Sequence, residues 1–90
     1  MSKFKIAETA HFRKQLDNLS LRKLYIKIEN FVYPQLRANP FFGPNIKKLK
    51  GEFEEYYRIR IGNYRLFYIV DKQKVIVFIL EIANRKDADS

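Results

Sequence analysis

The chain of 90 residues has no cysteine, no tryptophan, one histidine, three glycines and three prolines. Without cysteine there can be neither a disulfide framework nor a thiolate metal site. One imidazole is too few for a histidine-based metal centre, so no metal and no cofactor are expected. No apolar run approaches the roughly 20 residues needed to cross a bilayer. Residues 1–6 lead directly into alternating sequence, without the apolar core of a secretory signal. These absences predict a cytoplasmic protein with no membrane partner. Repeats and low-complexity segments are also missing, and the length suits one domain over residues 1–90.

What is present is a core and a charge. Hydrophobic residues make up 47% of the chain and aromatic residues 16%, with eight Phe and six Tyr to supply large buried areas. The formal net charge is +8, and it is uneven. Residues 1–50 carry eleven Lys/Arg against three Asp/Glu, whereas residues 51–90 carry seven of each. Such basicity favours nucleic acid or another polyanion as partner; an acidic protein would satisfy it equally well.

Residues 56–68, Tyr-Tyr-Arg-Ile-Arg-Ile-Gly-Asn-Tyr-Arg-Leu-Phe-Tyr, alternate with period two around Gly62-Asn63. Two strands joined by Gly-Asn predict a tight hairpin, because glycine accepts the positive φ of strand-matching turns. Counting outward from the turn pairs Ile61 with Tyr64, Arg60 with Arg65, Ile59 with Leu66 and Arg58 with Phe67. One face then carries Tyr57, Ile59, Ile61, Tyr64, Leu66 and Tyr68, a core face. The other carries Arg58, Arg60 and Arg65. Like charges directly across a strand pair are destabilising, by roughly 0.2–1 kcal/mol, so the cluster points to an anion site. The bland alternative is a solvated face, or one paired with Glu52, Glu54, Glu55 and Glu81.

Around this hairpin, residues 3–7 alternate as a short first strand. Thr9 caps a first helix to about Asn18, with Phe12, Leu16 and Leu19 as its apolar stripe. His11 lies off that stripe and reads as an exposed helix residue. Ser20 caps a second helix, whose broad apolar face includes Leu24, Tyr25, Ile28, Phe31, Val32 and Leu36. Pro34 should kink it near Tyr33, and Asn39-Pro40 ends it. Residues 41–51 read as a loop pinned by Phe41, Phe42, Ile46 and Leu49, with Lys47, Lys48 and Lys50 pointing outward. Asp71-Lys72-Gln73 makes the next turn and leads into residues 74–83, an apolar run that suggests a strand buried on both faces. The expected fold is α+β in the order β-α-α-β-β-β. It has an antiparallel sheet ending in a three-strand meander, with two antiparallel helices on one face.

This order resembles the RelE/ParE superfamily of toxins from type II toxin–antitoxin systems. So do the Asn39-Pro40 helix end, Leu49-Lys50-Gly51, the run Tyr57-Arg58-Ile59-Arg60-Ile61-Gly62-Asn63-Tyr64-Arg65, and Asn84-Arg85 after the last strand. The RelE branch cuts mRNA in the ribosomal decoding site; the ParE branch poisons DNA gyrase. For this chain the resemblance implies a toxin neutralised by a cognate antitoxin, acting on mRNA at the ribosome, with DNA gyrase as the alternative target. A degenerate toxin that only binds is a third alternative.

The resemblance also implies site residues. Arg58, Arg60, Arg65 and Arg85 match catalytic positions. By their placement beside that face, Lys47, Lys48, Lys50 and Lys86 are candidates to continue the RNA-phosphate site, and Tyr56, on the arginine side of the alternation, to stack on a base or relay a proton. Two features depart from the pattern: no tyrosine follows Arg85, and Lys47 stands where some relatives have a glutamate. Simple alternation after a two-residue turn at Lys72-Gln73 places Arg85 on the helix side. RNA cleavage by 2′-OH attack needs a proton acceptor, charge stabilisation on phosphorus and help for the leaving oxygen. Planar guanidinium forks suit the second. Being always protonated, they suit the first poorly. No general base is evident in the sequence.

Overall fold

A computed structural model describes residues 3–49 and 56–84. Strand β1 (Lys5–Glu8) leads into a short helix, α1 (Ala10–Gln15). A long helical run follows as α2 (Leu19–Lys27), a π-helical turn (Ile28–Val32) and α3 (Tyr33–Ala38). Strands β2 (Ile46–Lys48), β3 (Tyr56–Ile61), β4 (Tyr64–Asp71) and β5 (Ile76–Asn84) complete the chain. The five strands form one sheet in the order β1-β5-β4-β3-β2. The α+β class, the helical layer and the closing antiparallel meander are as expected. The sheet, however, is mixed, because β1 pairs with β5 in parallel.

The hairpin has the predicted register, with Ile61 opposite Tyr64, Arg60 opposite Arg65, Ile59 opposite Leu66 and Arg58 opposite Phe67. Gly62 takes φ +56° while Asn63 is not in the positive region. That combination is a II′ turn, whose twist matches the strands. Tyr57, Ile59, Ile61, Leu66 and Tyr68 are buried, and so are Val70, Val77, Ile79 and Ile82 from β4 and β5. The helices cover this face with Phe12, Leu21, Ile28, Val32, Tyr33 and Leu36. Two buried polar links tie the layers together. The Tyr68 hydroxyl donates to the Pro40 carbonyl at 2.7 Å, and Glu8 Oε2 accepts from the Tyr25 and Tyr33 hydroxyls at 2.6 and 2.7 Å.

The helices differ in detail from the periodic reading. Thr9 does cap α1, its Oγ1 accepting from Phe12 N at 3.3 Å. The helix stops early, so Leu19 falls at the start of the next helix and is 74% exposed. Asn18 rather than Ser20 caps α2, its Oδ1 accepting from Ser20 N at 3.0 Å. Pro34 is accommodated by the π-helical turn before it, in which Tyr33 N–H reaches back five residues to the Ile28 carbonyl. Proline lacks an N–H and crowds the carbonyl four residues back; one extra residue in the turn absorbs both problems. The insertion also rotates the helix face, so Val32 and Tyr33 meet the sheet while Phe31 stays 69% exposed.

Four more expectations are corrected in and beside the sheet. The lysine loop contains β2, which pairs antiparallel with β3; short lysine-bearing strands are a common way to blunt a sheet edge. Phe42 is not a pin but is 78% exposed, while Phe41 and Ile46 do pack on the core. The β4–β5 connection spans residues 72–75, and Asp71 Oδ1 accepts from Gln73 N and Lys74 N, both at 3.0 Å. Strand β5 is buried on one face rather than both. Its register slips between Phe67 and Tyr68, which face Glu81 and Ile79 and leave Leu80 as a bulge. The bulge reverses the alternation, so Val77 and Ile79 before it and Ile82 after it all face the helices.

The open face of the sheet as candidate functional site

The site follows from the register. Residues directly opposite in an antiparallel pair share a face, so the face turned away from the helices can be assembled row by row. One row holds Arg60, Arg65 and Ala83; the next holds Lys47, Arg58, Phe67 and Glu81. A third holds Tyr56, Ile69 and Phe78, with Ala7 of β1 beside Phe78. Rows are separated by two residues along β3 and β4, and by three on β5 where the Leu80 bulge falls between Glu81 and Phe78. Arg58, Arg60 and Arg65 thus lie within one patch about two strands wide, roughly 5 Å between strands.

Of the residues predicted for the site, Arg58, Arg60, Arg65, Tyr56 and Lys47 are brought together on this face. Lys48 is not. It pairs with the buried Tyr57, so it leaves the sheet edge on the helix side, although it is exposed as expected. Lys50, Arg85 and Lys86 lie outside the described residues, as do Glu52, Glu54 and Glu55.

Within the patch like charges stand directly across the hairpin. Arg60 directly faces Arg65, and the Arg60 Nε is buried with no hydrogen-bond partner among the described residues. A buried donor without an acceptor is costly. The Tyr56 ring stacks on Phe67, with centroids 6.0 Å apart and planes 15° apart. Burial, and secondarily the negative charge of Glu81, push the Tyr56 hydroxyl above its ordinary pKa. That hydroxyl is therefore a proton donor or hydrogen-bonding group at neutral pH, not a base.

Two acid–base groups stand at the rim: His11, read from the sequence as an exposed helix residue, and Glu81, read there as an ion-pair partner in the solvated alternative. Glu81 stands on the open face opposite Phe67. His11 Nε2 lies 3.7 Å from Glu81 Oε2, with side chains 66% and 46% exposed. Helix α1 carries the histidine there by running past the end of β1 along β5. Thr9 N and Oγ1 donate to the Ile79 carbonyl at 3.1 and 2.7 Å. The Gln15 amide then donates to the Ile82 carbonyl and accepts from Ile82 N, both at 2.8 Å. No local signal announces this, because it depends on the parallel β1–β5 pairing and on the Leu80 bulge. Among the described residues no group of three His, Asp or Glu is placed to hold a metal. No described helix is long and apolar enough to cross a membrane.

Known proteins are similar to this chain in sequence and fold. The family described as the ParE toxin of type II toxin–antitoxin system, parDE, matches residues 9–88. The RelE1 toxin of Methanocaldococcus jannaschii is 35% identical over 75 residues, 83% of this chain and 79% of that protein. A chain of the RelBE2 toxin–antitoxin complex of Mycobacterium tuberculosis superposes with TM-score 0.74 at 29% identity, over 92% of this chain and 99% of that one. A chain of the RelB–RelE antitoxin–toxin complex of Methanococcus jannaschii does so with TM-score 0.64 at 27% identity, over 92% and 94%.

Proposed function

Because this chain belongs to the RelE/ParE superfamily of toxins from type II toxin–antitoxin systems, we propose that its open sheet face binds and cleaves mRNA at the ribosome. The observation that carries this reading is the arginine cluster. Arg58, Arg60 and Arg65 share the face turned away from the helices, and the Arg60 Nε is buried with no hydrogen-bond partner among the described residues. Guanidinium forks are matched to phosphate. Three of them around one phosphodiester would neutralise the charge that grows on phosphorus as the 2′-oxygen attacks. Tyr56 would hydrogen-bond or stack, and Lys47 would extend the track along the backbone. The ribosome would hold the mRNA in an attack-ready geometry, which can supply a large share of the rate.

The same charge defines the inhibitor. An antitoxin segment bearing carboxylates would neutralise the patch, in keeping with the complexes in which similar chains are found. The match to the ParE description favours a second reading, a gyrase inhibitor that cuts no RNA. It gives no role to three guanidiniums on one face.

The two readings separate in one paired assay. Purified protein is added to mRNA on ribosomes and, in parallel, to gyrase and relaxed plasmid. Ribosome-dependent scission that is lost in Arg65→Ala, with supercoiling unaffected, is expected. Intact mRNA with blocked supercoiling would transfer the function to the second reading.

A further inference from the structure

Cleavage on the arginine face needs a proton acceptor, and guanidiniums, being always protonated, cannot supply one. Among the described residues the rows that hold the arginines contain one carboxylate, that of Glu81. Asp71 shares the face but stands two rows farther along β4, and its Oδ1 already accepts from Gln73 N and Lys74 N. We propose that Glu81 is the general base that takes the 2′-OH proton, an assignment that rests on the RNA-cleaving reading above.

The register brings Glu81 to the arginines. One row across the sheet reads Arg58, Phe67, Glu81. Arg65 lies opposite Ala83 in the next row. This makes Arg65 and Glu81 diagonal neighbours, about 7–8 Å apart at the backbone and within reach of long side chains. Arg58 and Arg65 are diagonal in the same way across β3 and β4. A phosphate gripped by these two guanidiniums would stand over Phe67, with Glu81 beside it. The negative charge of Glu81 is also felt at the Tyr56 hydroxyl, whose ring stacks on Phe67, so the carboxylate acts across the open face. It is 46% exposed, and its contact with His11 Nε2 is 3.7 Å long, longer than a hydrogen bond. Glu81 accepts no hydrogen bond among the described residues, so its carboxylate can turn to a bound ribose. The Leu80 bulge is what puts it there. Val77 and Ile79 face the helices, and strict alternation from them would send position 81 the same way.

The two kinds of group divide the work. Arg58 and Arg65 hold the non-bridging phosphate oxygens and offset the charge that grows on them. An ionised carboxylate only accepts, so Glu81 takes the proton. In the step, the 2′-OH proton passes to the Glu81 carboxylate, the O2′–P bond forms and the P–O5′ bond breaks. The expelled 5′-oxygen takes a proton from water, and the Glu81 carboxyl returns its proton to water. The net change is one proton from O2′ to O5′, giving a 2′,3′-cyclic phosphate and a 5′-hydroxyl with no redox step. The same negative charge repels the phosphate in the ground state. Glu81 therefore weakens RNA binding while it speeds the reaction, whereas a residue that only binds moves both in one direction.

The test uses the full chain with ribosome-bound mRNA under single-turnover conditions. Glu81→Gln keeps the shape and removes the basic oxygen, and it is expected to slow cleavage by about 10²–10⁴-fold. The same variant should bind a 2′-deoxy oligonucleotide, which cannot react, at least as tightly as the wild type does. In Glu81→Ala, added acetate should restore part of the rate in proportion to its concentration, which the loss of a structural contact would not allow. Thermal melts of both variants should match the wild type, since the side chain is half exposed. Cleavage by Glu81→Gln at the wild-type rate would overturn the assignment. So would slow cleavage that comes with weaker oligonucleotide binding and with no rescue by acetate. With Arg65→Ala inactive, the RNA-cleaving reading survives either result; absence of cleavage by the wild type would remove both.

Discussion

Replacing Arg60 by Met should make the protein more stable and less able to bind RNA. The reasoning is local. Arg60 lies directly across from Arg65, and a like-charged cross-strand pair costs roughly 0.2–1 kcal/mol. The Arg60 Nε is buried with no hydrogen-bond partner among the described residues, and leaving a buried donor unsatisfied costs about 1–3 kcal/mol. The other guanidinium nitrogens can still meet water, since the residue is only half-buried, so the lower part of that range applies. Methionine keeps an unbranched apolar stem of similar reach and so preserves the packing that arginine's methylenes supply. The net expectation is a gain of about 1–2 kcal/mol, which for a chain of this length raises Tm by roughly 4–8 °C per kcal/mol. Urea unfolding and thermal melts at 50 mM and 1 M salt would measure it. The repulsive part should fade at high salt, where the screening length falls to about 3 Å; the part from the unsatisfied donor should persist. An unchanged or lower Tm in Arg60→Met at low salt would refute the reasoning, because it would mean the arginine face is comfortable as it stands and needs no ligand to explain it.

Other expectations are structural. Glu8→Leu strands the two phenol hydroxyls that meet at Oε2 and should cost about 1–3 kcal/mol through the buried Tyr33. In a Tyr33→Phe background the same change should cost at least 0.5 kcal/mol less, and additive effects would show that the hydrogen bonds do not couple β1 to the helices. Burial raises the hydroxyl pKa values of Tyr33 and Tyr68 above the ordinary 10.0, with Glu8 adding to the effect at Tyr33. These groups keep their protons in the fold, so their contribution is fully present below about pH 10. Above it the unfolded chain ionises and stability should fall by up to about 1.4 kcal/mol per pH unit for each. Denaturant titrations between pH 9 and 11.5 should show the fall, less steep in Tyr68→Phe; an equal slope in that variant would contradict it.

What could be read from the sequence was the part governed by local rules. Gly62-Asn63 set the hairpin register by itself, because a two-residue turn admits one pairing and period two assigns the faces. The arginine patch came with it. The misreadings that bear on the site involve a single residue inserted into a period or a partner distant in sequence. The π-helical turn ahead of Pro34 rotated Phe31 out of the core, and the Leu80 bulge reversed the alternation of β5. A one-residue slip leaves no trace in composition, although it moves every later side chain to the other face. The Lys47-Lys48 segment became a strand only because β3 offered it an edge. His11 and Glu81 were individually unremarkable, an exposed helix residue and an acid in an apolar strand. Only the parallel pairing of β1 with β5, more than sixty residues away, brings them to the same rim.

The most direct measurement is the map of mRNA 5′ ends in cells that express the protein. New ends within translated reading frames, in phase with codons and absent when Arg65→Ala is expressed at the same level, are the predicted result. Translated messages that stay intact while growth stops would contradict it.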